Sequence, residues 1–179
     1  ATGQGLIASA SGGTLASITL AGASALAIPA ATDVTATGGL TLSGASVTLG
    51  SAPNGHSFLY FNGTQTLGGA GEIVLLEHPV YTRYLTLQGA TTTLTIATGV
   101  TVRGADGQLN ATTGQSFLNQ GTVRSEVAGQ TIAIANLTNS ASGVLQMAND
   151  GDMSSTGTFS NAGSVTIGAS SAFSRAGAY

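Results

Sequence analysis

The sequence contains no cysteine, no lysine and no tryptophan, and four arginines are its only strongly basic side chains. Without cysteine, a disulfide framework and a thiolate metal site are both excluded. Four arginines are too few to neutralise a phosphate backbone, which also excludes a nucleic-acid-binding face. Charged residues make up 6% of the chain, against about 25% in ordinary globular domains. Such a chain must bury its apolar side chains or aggregate.

Long apolar runs are missing as well. No stretch reaches the roughly 18 consecutive apolar residues that predict a transmembrane segment. Residues 15–31 have the composition of a signal-peptide core, but no basic segment precedes them. We interpret them as strands, and the chain as a mature or excised piece. Disorder is disfavoured because the net charge is only −3 and the mean hydropathy is +0.31, whereas disordered chains combine low hydrophobicity with high net charge.

Short strand-like runs fill the sequence instead. Examples are "GLTL" at 39–42, "GEIVL" at 71–75 and "YLTLQG" at 84–89. They alternate with period two, are rich in β-branched residues and are separated by Gly, Asn, Ser or Asp, which is the pattern of strands and turns. No segment has a sustained helical period. The sequence therefore predicts an all-β protein.

A repeat organises the second half of the chain. "FLNQGTV" begins at 117, "LTNSASGVL" at 137 and "FSNAGSV" at 159, so equivalent positions recur every 20–22 residues. A period near 21 with several short strands predicts a β-solenoid, in which each repeat is one coil and equivalent positions stack about 4.8 Å apart. An antiparallel sandwich also uses short strands, but it gives no reason for the motif to return in frame.

The solenoid assigns a structural role to each repeated position. The first and last apolar residues point inward as two ladders. The asparagine lies at a corner, where it tolerates left-handed backbone and can bond to the asparagine of the next coil. The glycine allows an unusual dihedral or a close approach. The predicted structural residues are Phe117, Leu137 and Phe159; Val123, Leu145 and Val165; Asn119, Asn139 and Asn161; and Gly121, Gly143 and Gly163.

These Asn-x-Gly-x-Val units, followed by "TIAI" or "VTIG", resemble the degenerate repeats of large secreted bacterial β-helix proteins. Filamentous-haemagglutinin-type adhesins and autotransporter passenger regions are the nearest comparison, and the resemblance covers residues 93–169. It implies a right-handed parallel β-helix, here one domain over residues 1–179, and a location at the bacterial cell surface or outside the cell. It also implies a structural or adhesive role. Phage tail-fibre and polysaccharide-lyase solenoids share the architecture, so the fold alone does not decide function.

The leading hypothesis is accordingly a structural or adhesive segment of an exported fibre, without catalysis and without a cofactor. No polar cap is evident in "ATGQGLIAS" at the start or in "FSRAGAY" at the end, and uncapped strand edges tend to pair. We therefore expect further solenoid coils of the same protein or self-association as the partner, with cell-surface glycans as a second class of partner.

The repeat is interrupted at residues 75–85, "LLEHPVYTRYL", which we predict to leave the coil as a loop. Together with "HSFLYFNG" at 56–63, this stretch holds both histidines and three of the four tyrosines. Aromatic rings with polar edges suit sugar rings or protein contacts; alternatively, they cover the core or pack a loop against the rod. The second hypothesis is a glycan-binding or glycan-cleaving module. Its ligand-binding candidates are Tyr60, His78, Tyr81, Arg83 and Tyr84, with Glu77 as a nearby acid.

The seven carboxylates are sparse and scattered. Glycan-cleaving enzymes need a pair of acids at one site, so we expect no catalysis and assign no catalytic residue. The densest acidic spot is "NDGD" at 149–152, where Asp150 and Asp152 are minor candidates for Ca²⁺ ligands. We favour an exposed turn there, because these residue types are typical of turns.

Overall fold

A computed structural model describes residues 5–22, 26–51 and 54–176. These residues form one parallel sheet of seventeen strands and no helix, wound into a β-solenoid of about 7 turns. The predicted all-β parallel solenoid is therefore confirmed, and it includes the first half of the chain. No helix in the described ranges is long and apolar enough to span a membrane. The strands are β1 Leu6–Ile7, β2 Gly13–Ala21, β3 Leu26–Ile28, β4 Thr32–Leu49, β5 Ser57–Asn62, β6 Gln65–Leu75, β7 Arg83–Gln88, β8 Thr93–Ile96, β9 Gly99–Gly104, β10 Gly107–Asn110, β11 Ser116–Asn119, β12 Thr122–Ser125, β13 Thr131–Asn139, β14 Val144–Met147, β15 Asp152–Asn161, β16 Ser164–Ile167 and β17 Phe173–Ala176.

Each turn presents three faces, which we name by their strands. Face A consists of β1, β3, the ends of β4 and β6, and then β9, β12, β14 and β16. Face B consists of the starts of β2 and β4, then β5, β7 and β10, the starts of β13 and β15, and β17. Face C consists of the end of β2, the middle of β4, the start of β6, then β8, β11 and the ends of β13 and β15.

The core is the interior of the solenoid, and alternation along each strand fills it. Successive side chains of a strand point to opposite sides, so every second residue lies inside. Because the strands of successive turns are in register, these residues form continuous inward rows. The predicted ladder through Val123 is confirmed and extends along the whole of face A. Its members are Leu6, Leu26, Val47, Ile73, Val102, Val123, Leu145 and Val165. The predicted ladder on face C is also confirmed, with Leu94 added to Phe117, Leu137 and Phe159.

The three predicted corner asparagines form a hydrogen-bonded column on face C. Asn119 Nδ2 donates to Asn139 Oδ1, and Asn139 Nδ2 donates to Asn161 Oδ1, each over 2.7 Å. Asn119 and Asn139 are fully buried, so these bonds satisfy polar groups that water does not reach. None of the three has a positive φ. Hydrogen bonding, rather than left-handed backbone, therefore explains asparagine at this corner.

The glycines that follow the asparagines permit a close approach of the backbone. None of Gly121, Gly143 and Gly163 has a positive φ. A Cβ at Gly143 would lie 2.2 Å from Asn139 Oδ1 and 2.4 Å from Asn119 O, well inside van der Waals contact. Of the two roles predicted for these glycines, the close approach is the one observed.

The turns are short at both ends of the solenoid and longest in the middle; at the N-terminal end, for example, Leu6 pairs with Leu26, a step of 20 residues. The asparagine column advances by 20 and 22 residues, as predicted. In the middle, Val47 pairs with Ile73 and Leu67 with Ile96, which are steps of 26 and 29 residues. Much of the added length lies between faces A and B, in segments 50–56 and 76–82. The loop predicted at 75–85 is thus confined to 76–82, because residue 75 ends β6 and residues 83–85 belong to β7.

Candidate functional site

A group of aromatic side chains covers the outside of face B. Phe58 and Tyr84 are register partners on β5 and β7, and their rings stack with centroids 4.7 Å apart and planes 8° apart. Tyr60 continues the layer along β5, with its ring centroid 5.5 Å from that of Phe58 and the two ring planes nearly parallel. In-register strands about 4.8 Å apart bring such rings into contact. We call the set of His56, Phe58, Tyr60, His78, Tyr81 and Tyr84 the aromatic strip.

Two members of the aromatic strip, His78 and Tyr81, belong to segment 76–82, and ring contacts join this segment to the rest of the strip. The His56 ring lies 5.4 Å from the ring of Tyr84 and 5.4 Å from that of Tyr81, in edge-to-face geometry. His78 lies 4.7 Å from Tyr81. The aromatic residues of segments 50–56 and 76–82 are thereby fixed to one another and to β7. This is the arrangement expected if the rings pack a loop against the rod.

Both histidines bond to the backbone of segment 76–82 through Nδ1. His78 Nδ1 accepts from Val80 N and from Tyr81 N, each over 3.0 Å. His56 Nδ1 lies 3.1 Å from Thr82 N and 3.3 Å from Thr82 O, so its tautomer decides whether it accepts or donates. A neutral imidazole that accepts at Nδ1 carries its proton on Nε2. His78 Nδ1 is therefore engaged by the backbone of its own segment.

Arg83 lies inside the solenoid, where it is 1% exposed. Its Nε donates to Leu76 O over 3.1 Å and its Nη1 donates to Gly55 O over 2.9 Å. The guanidinium thus ties segment 50–56 to segment 76–82. Burial lowers the pKa of Arg83, and the nearby Asp106 carboxylate partly opposes this shift. The prediction that Arg83 contacts a surface ligand is wrong, because Arg83 belongs to the inward side of β7.

Small neighbours make room for this buried guanidinium. In the inward row of face B, Arg83 lies between Ser57 and Gly107. A Cβ at Gly50 would lie 2.0 Å from Arg83 Nε, so only glycine fits beside it. The charge is buried where two glycines and a serine leave a space in the core.

The other four predicted ligand-binding residues, Tyr60, His78, Tyr81 and Tyr84, are brought together in the aromatic strip. Phe58 and His56 complete the strip and were not among the predicted residues. Burial raises the pKa of the Tyr60 phenol, and the Asp33 carboxylate raises it further, so the hydroxyl stays neutral. Stacking covers faces of the central rings and leaves ring edges and hydroxyl groups for contacts outside the rod.

A second cluster, which we did not predict, lies on the outside of face A. Arg103 donates from Nε and Nη2 to the two oxygens of Glu72 over 2.7 and 3.1 Å, and from Nη1 to Glu126 over 2.7 Å. Arg124 Nε lies 2.9 Å from Glu126 Oε2 but is not aligned for a hydrogen bond. The sequence signal is the pair "TVRG" and "TVRS" at 101–104 and 122–125, which places the arginines on neighbouring turns.

This cluster borders an open groove of about 570 Å³ lined mainly by small side chains. The hydrogen bond from Arg103 lowers the pKa of Glu72 against the smaller opposing effect of burial, and both carboxylates raise the pKa of Arg103. A catalytic general acid needs a raised pKa. The lowered pKa of Glu72 favours its carboxylate form, and the cluster of Glu72, Arg103 and Glu126 connects three successive turns.

The acidic stretch at 149–152 is a turn, as favoured. Asn149 and Asp150 have φ values of 51° and 60°, which are typical of turn positions that Asn and Asp tolerate. Asp152 Oδ1 accepts from Ala172 N over 2.7 Å, which connects two successive turns. Among the described residues, no group of three or more His, Asp or Glu side chains could hold a metal ion.

Comparison with known proteins yields no family model, no curated protein and no solved structure that matches this chain. Three features of the molecule itself bear on its function. They are the continuous rows of the solenoid, the aromatic strip on face B and the ion-pair cluster on face A.

Proposed function

We propose that this chain is a structural or adhesive segment of an exported bacterial surface or extracellular fibre, without catalytic activity. The observation that carries the proposal is the unbroken inward row of face A, which joins Leu6 to Val165 through every turn. In such a solenoid each turn contacts only its two neighbours, and stability accumulates along the rod. A rod of this kind suits a spacer or a fibre.

The described carboxylates agree with a structural role. Glu72 and Glu126 are engaged by Arg103, and Asp152 binds a backbone amide. Each of these carboxylates joins one turn to another. The charged residues therefore reinforce the stacking of turns, which is the property a fibre needs.

Surface labelling tests this proposal. Antibodies raised against the folded chain are applied to intact and to permeabilised cells of the producing organism, and the culture medium is imaged by electron microscopy. We expect labelling of intact cells, or of rod-like material in the medium. Labelling seen only after permeabilisation contradicts export, and hydrolysis or elimination of glycans by the purified chain contradicts a role without catalysis.

The second candidate function is glycan binding at the aromatic strip. The specific observation is that tyrosine hydroxyls and aromatic edges lie outside face B, beside the amide side chains of β10. Gln108 and Asn110 are register partners of Tyr84 and Thr86. Aromatic groups next to hydrogen-bonding side chains are suited to sugars, which present both C–H faces and hydroxyl groups.

A glycan array separates the two candidates. The wild-type chain is compared with Tyr81→Ala, which removes a ring of the strip, and with Tyr60→Phe, which removes only a hydroxyl group. Binding that is lost in Tyr81→Ala and weakened in Tyr60→Phe supports the second candidate. An array without signal, or binding unchanged in both variants, counts against it and leaves the structural role.

A further inference from the structure

The strands at the two ends of the described solenoid are paired on one side only. β1 and β2 pair with β3 and β4, and β16 and β17 pair with β14 and β15, but none has a second neighbour within the described residues. All other strands of faces A and B lie between two neighbours. An edge of unpaired N–H and C=O groups is a template for another strand. The unpaired strands at the two ends run in the same direction, so they could pair with each other as parallel strands.

The first turn is apolar on the side where a further turn would stack. Leu6, which begins the inward row of face A, is 56% exposed, and its outward-facing neighbour Ile7 is 74% exposed. A cavity of about 300 Å³ opens here, with Leu6, Ala8, Leu15, Leu26 and Val34 among its lining residues. An apolar cavity of this size at a strand edge has room for side chains from an adjoining turn.

The last turn offers matching side chains. Val165 and Phe173 are only partly buried and pack against the core from one side, and Ile167 is 52% exposed. Val165 ends the same inward row that Leu6 begins, so placing β16 against β1 continues an aliphatic row. The contact would repeat the one that Leu145 and Val165 make inside the chain.

On face B, the two ends of the solenoid are complementary because a large side chain at one end would meet a glycine at the other. Its inward row ends in Arg175 and begins in Gly13. A Cβ at Gly13 would have no heavy atom within 4 Å, so the space opposite is open. Within the chain, the neighbouring inward row of face B already places an arginine, Arg83, beside a glycine, Gly107. The arginine-on-glycine contact at the junction therefore has a precedent in the fold.

We propose that the partner of these edges is a second copy of this chain, stacked head to tail with β16 on β1 and β17 on β2. This inference rests on the proposed structural function and deepens it by naming the partner and its register. The interface is heterologous, since different edges of the two copies meet, and such contacts produce open filaments unless the rotation closes a ring. Among outward-facing residues, the register places Thr166 of one copy beside Ile7 of the next. It also places Ala176 beside Thr14.

Because the chain has no cysteine, single cysteines report this register directly. The purified full chain is prepared as four variants, Ile7→Cys, Thr14→Cys, Thr166→Cys and Ala176→Cys. Matched mixtures combine Thr166→Cys with Ile7→Cys, or Ala176→Cys with Thr14→Cys. Mismatched mixtures exchange the partners. After mild oxidation, covalent heterodimers are quantified on non-reducing gels, and sedimentation velocity of the wild-type chain gives its assembly state.

We expect concentration-dependent oligomers and at least a tenfold excess of heterodimer in the matched mixtures. Equal cross-linking in matched and mismatched mixtures overturns the register. A monomer at all concentrations, including high micromolar, overturns self-association. Surface labelling of producing cells is an independent readout, so a monomeric chain found on the cell surface refutes the stacking without refuting the proposed function.

Discussion

Asn119 and Asn139 occupy the same corner on successive turns, and the amide of the first donates to the oxygen of the second over 2.7 Å. Asn139 repeats the bond to Asn161. Asn139→Ala should lower the free energy of unfolding by about 2–3 kcal/mol, because it removes a buried amide and leaves the Asn119 amide without its side-chain acceptor. Urea unfolding followed by circular dichroism measures the change.

Asn161→Ala is the matched control for this corner. Asn161 is exposed, and it accepts from a single asparagine. Asn161→Ala should cost only about 1 kcal/mol, because the Asn161 amide is not itself buried and Asn139 Nδ2 keeps Gly143 O and Ser164 O as acceptors. Equal losses in the two variants would mean that burial of the column contributes nothing.

A second prediction concerns the space beside the buried guanidinium. Gly50→Ala should destabilise the protein by about 3 kcal/mol, since its φ of +90° disfavours an L residue and the new Cβ would lie 2.0 Å from Arg83 Nε. Gly63→Ala is the control, because Gly63 has a φ of +80° but no heavy atom within 4 Å of its Cβ position. It should cost only about 1 kcal/mol, the backbone part alone. Similar thermal shifts in both variants would contradict the tight contact.

The third prediction concerns acid stability and Glu72. Its folded-state pKa lies below the ordinary value of 4.5, so the ion pair with Arg103 stabilises the fold fully above that value and loses this contribution as pH falls through the lowered pKa. Glu72→Gln should cost about 0.5 kcal/mol at pH 7, because the pair is partly exposed and screened. The difference should disappear near pH 2, as measured by denaturant unfolding at both pH values. A constant difference across pH would exclude the ion pair as its cause.

The fourth prediction concerns the turn that His78 caps. His78→Ala removes the acceptor for Val80 N and Tyr81 N, so hydrogen exchange at these two amides should accelerate about tenfold. His78→Asn should retain slow exchange, because an asparagine oxygen accepts from the amides two and three residues onward in an Asx turn. Mass spectrometry of peptides covering 76–82 measures both. Fast exchange in both variants would show that the imidazole contributes more than an acceptor.

The inward position of a residue could be predicted from the sequence where the repeat spacing is constant. It could not be predicted where extra residues interrupt the spacing. Val123, Leu145 and Val165 return every 20–22 residues, so their common row follows from spacing alone. Val47 and Ile73 belong to the same row, but the residues added between faces change the spacing and conceal the register. The continuity of the row through its middle was therefore visible only in three dimensions.

Arg83 shows the physical limit of sequence reasoning at the candidate site. An arginine among aromatic residues in a loop-like stretch is normally exposed. Its burial depends on Gly50 and Gly107, which lie far away in sequence and contribute only the absence of a side chain. The grouping of Tyr60, Tyr81 and Tyr84 was predictable from composition, whereas the stacking of Tyr84 on Phe58 requires the register of β5 and β7.

Segments 50–56 and 76–82 connect face A to face B at the same corner, on successive turns. Extra sequence at this corner leaves the inward rows intact, because Val47 still pairs with Ile73 and Leu59 with Leu85 on either side of it. Peptides inserted within either segment would be displayed along a single line parallel to the axis, at intervals of one turn. The solenoid therefore offers one line of insertion sites, spaced by one turn.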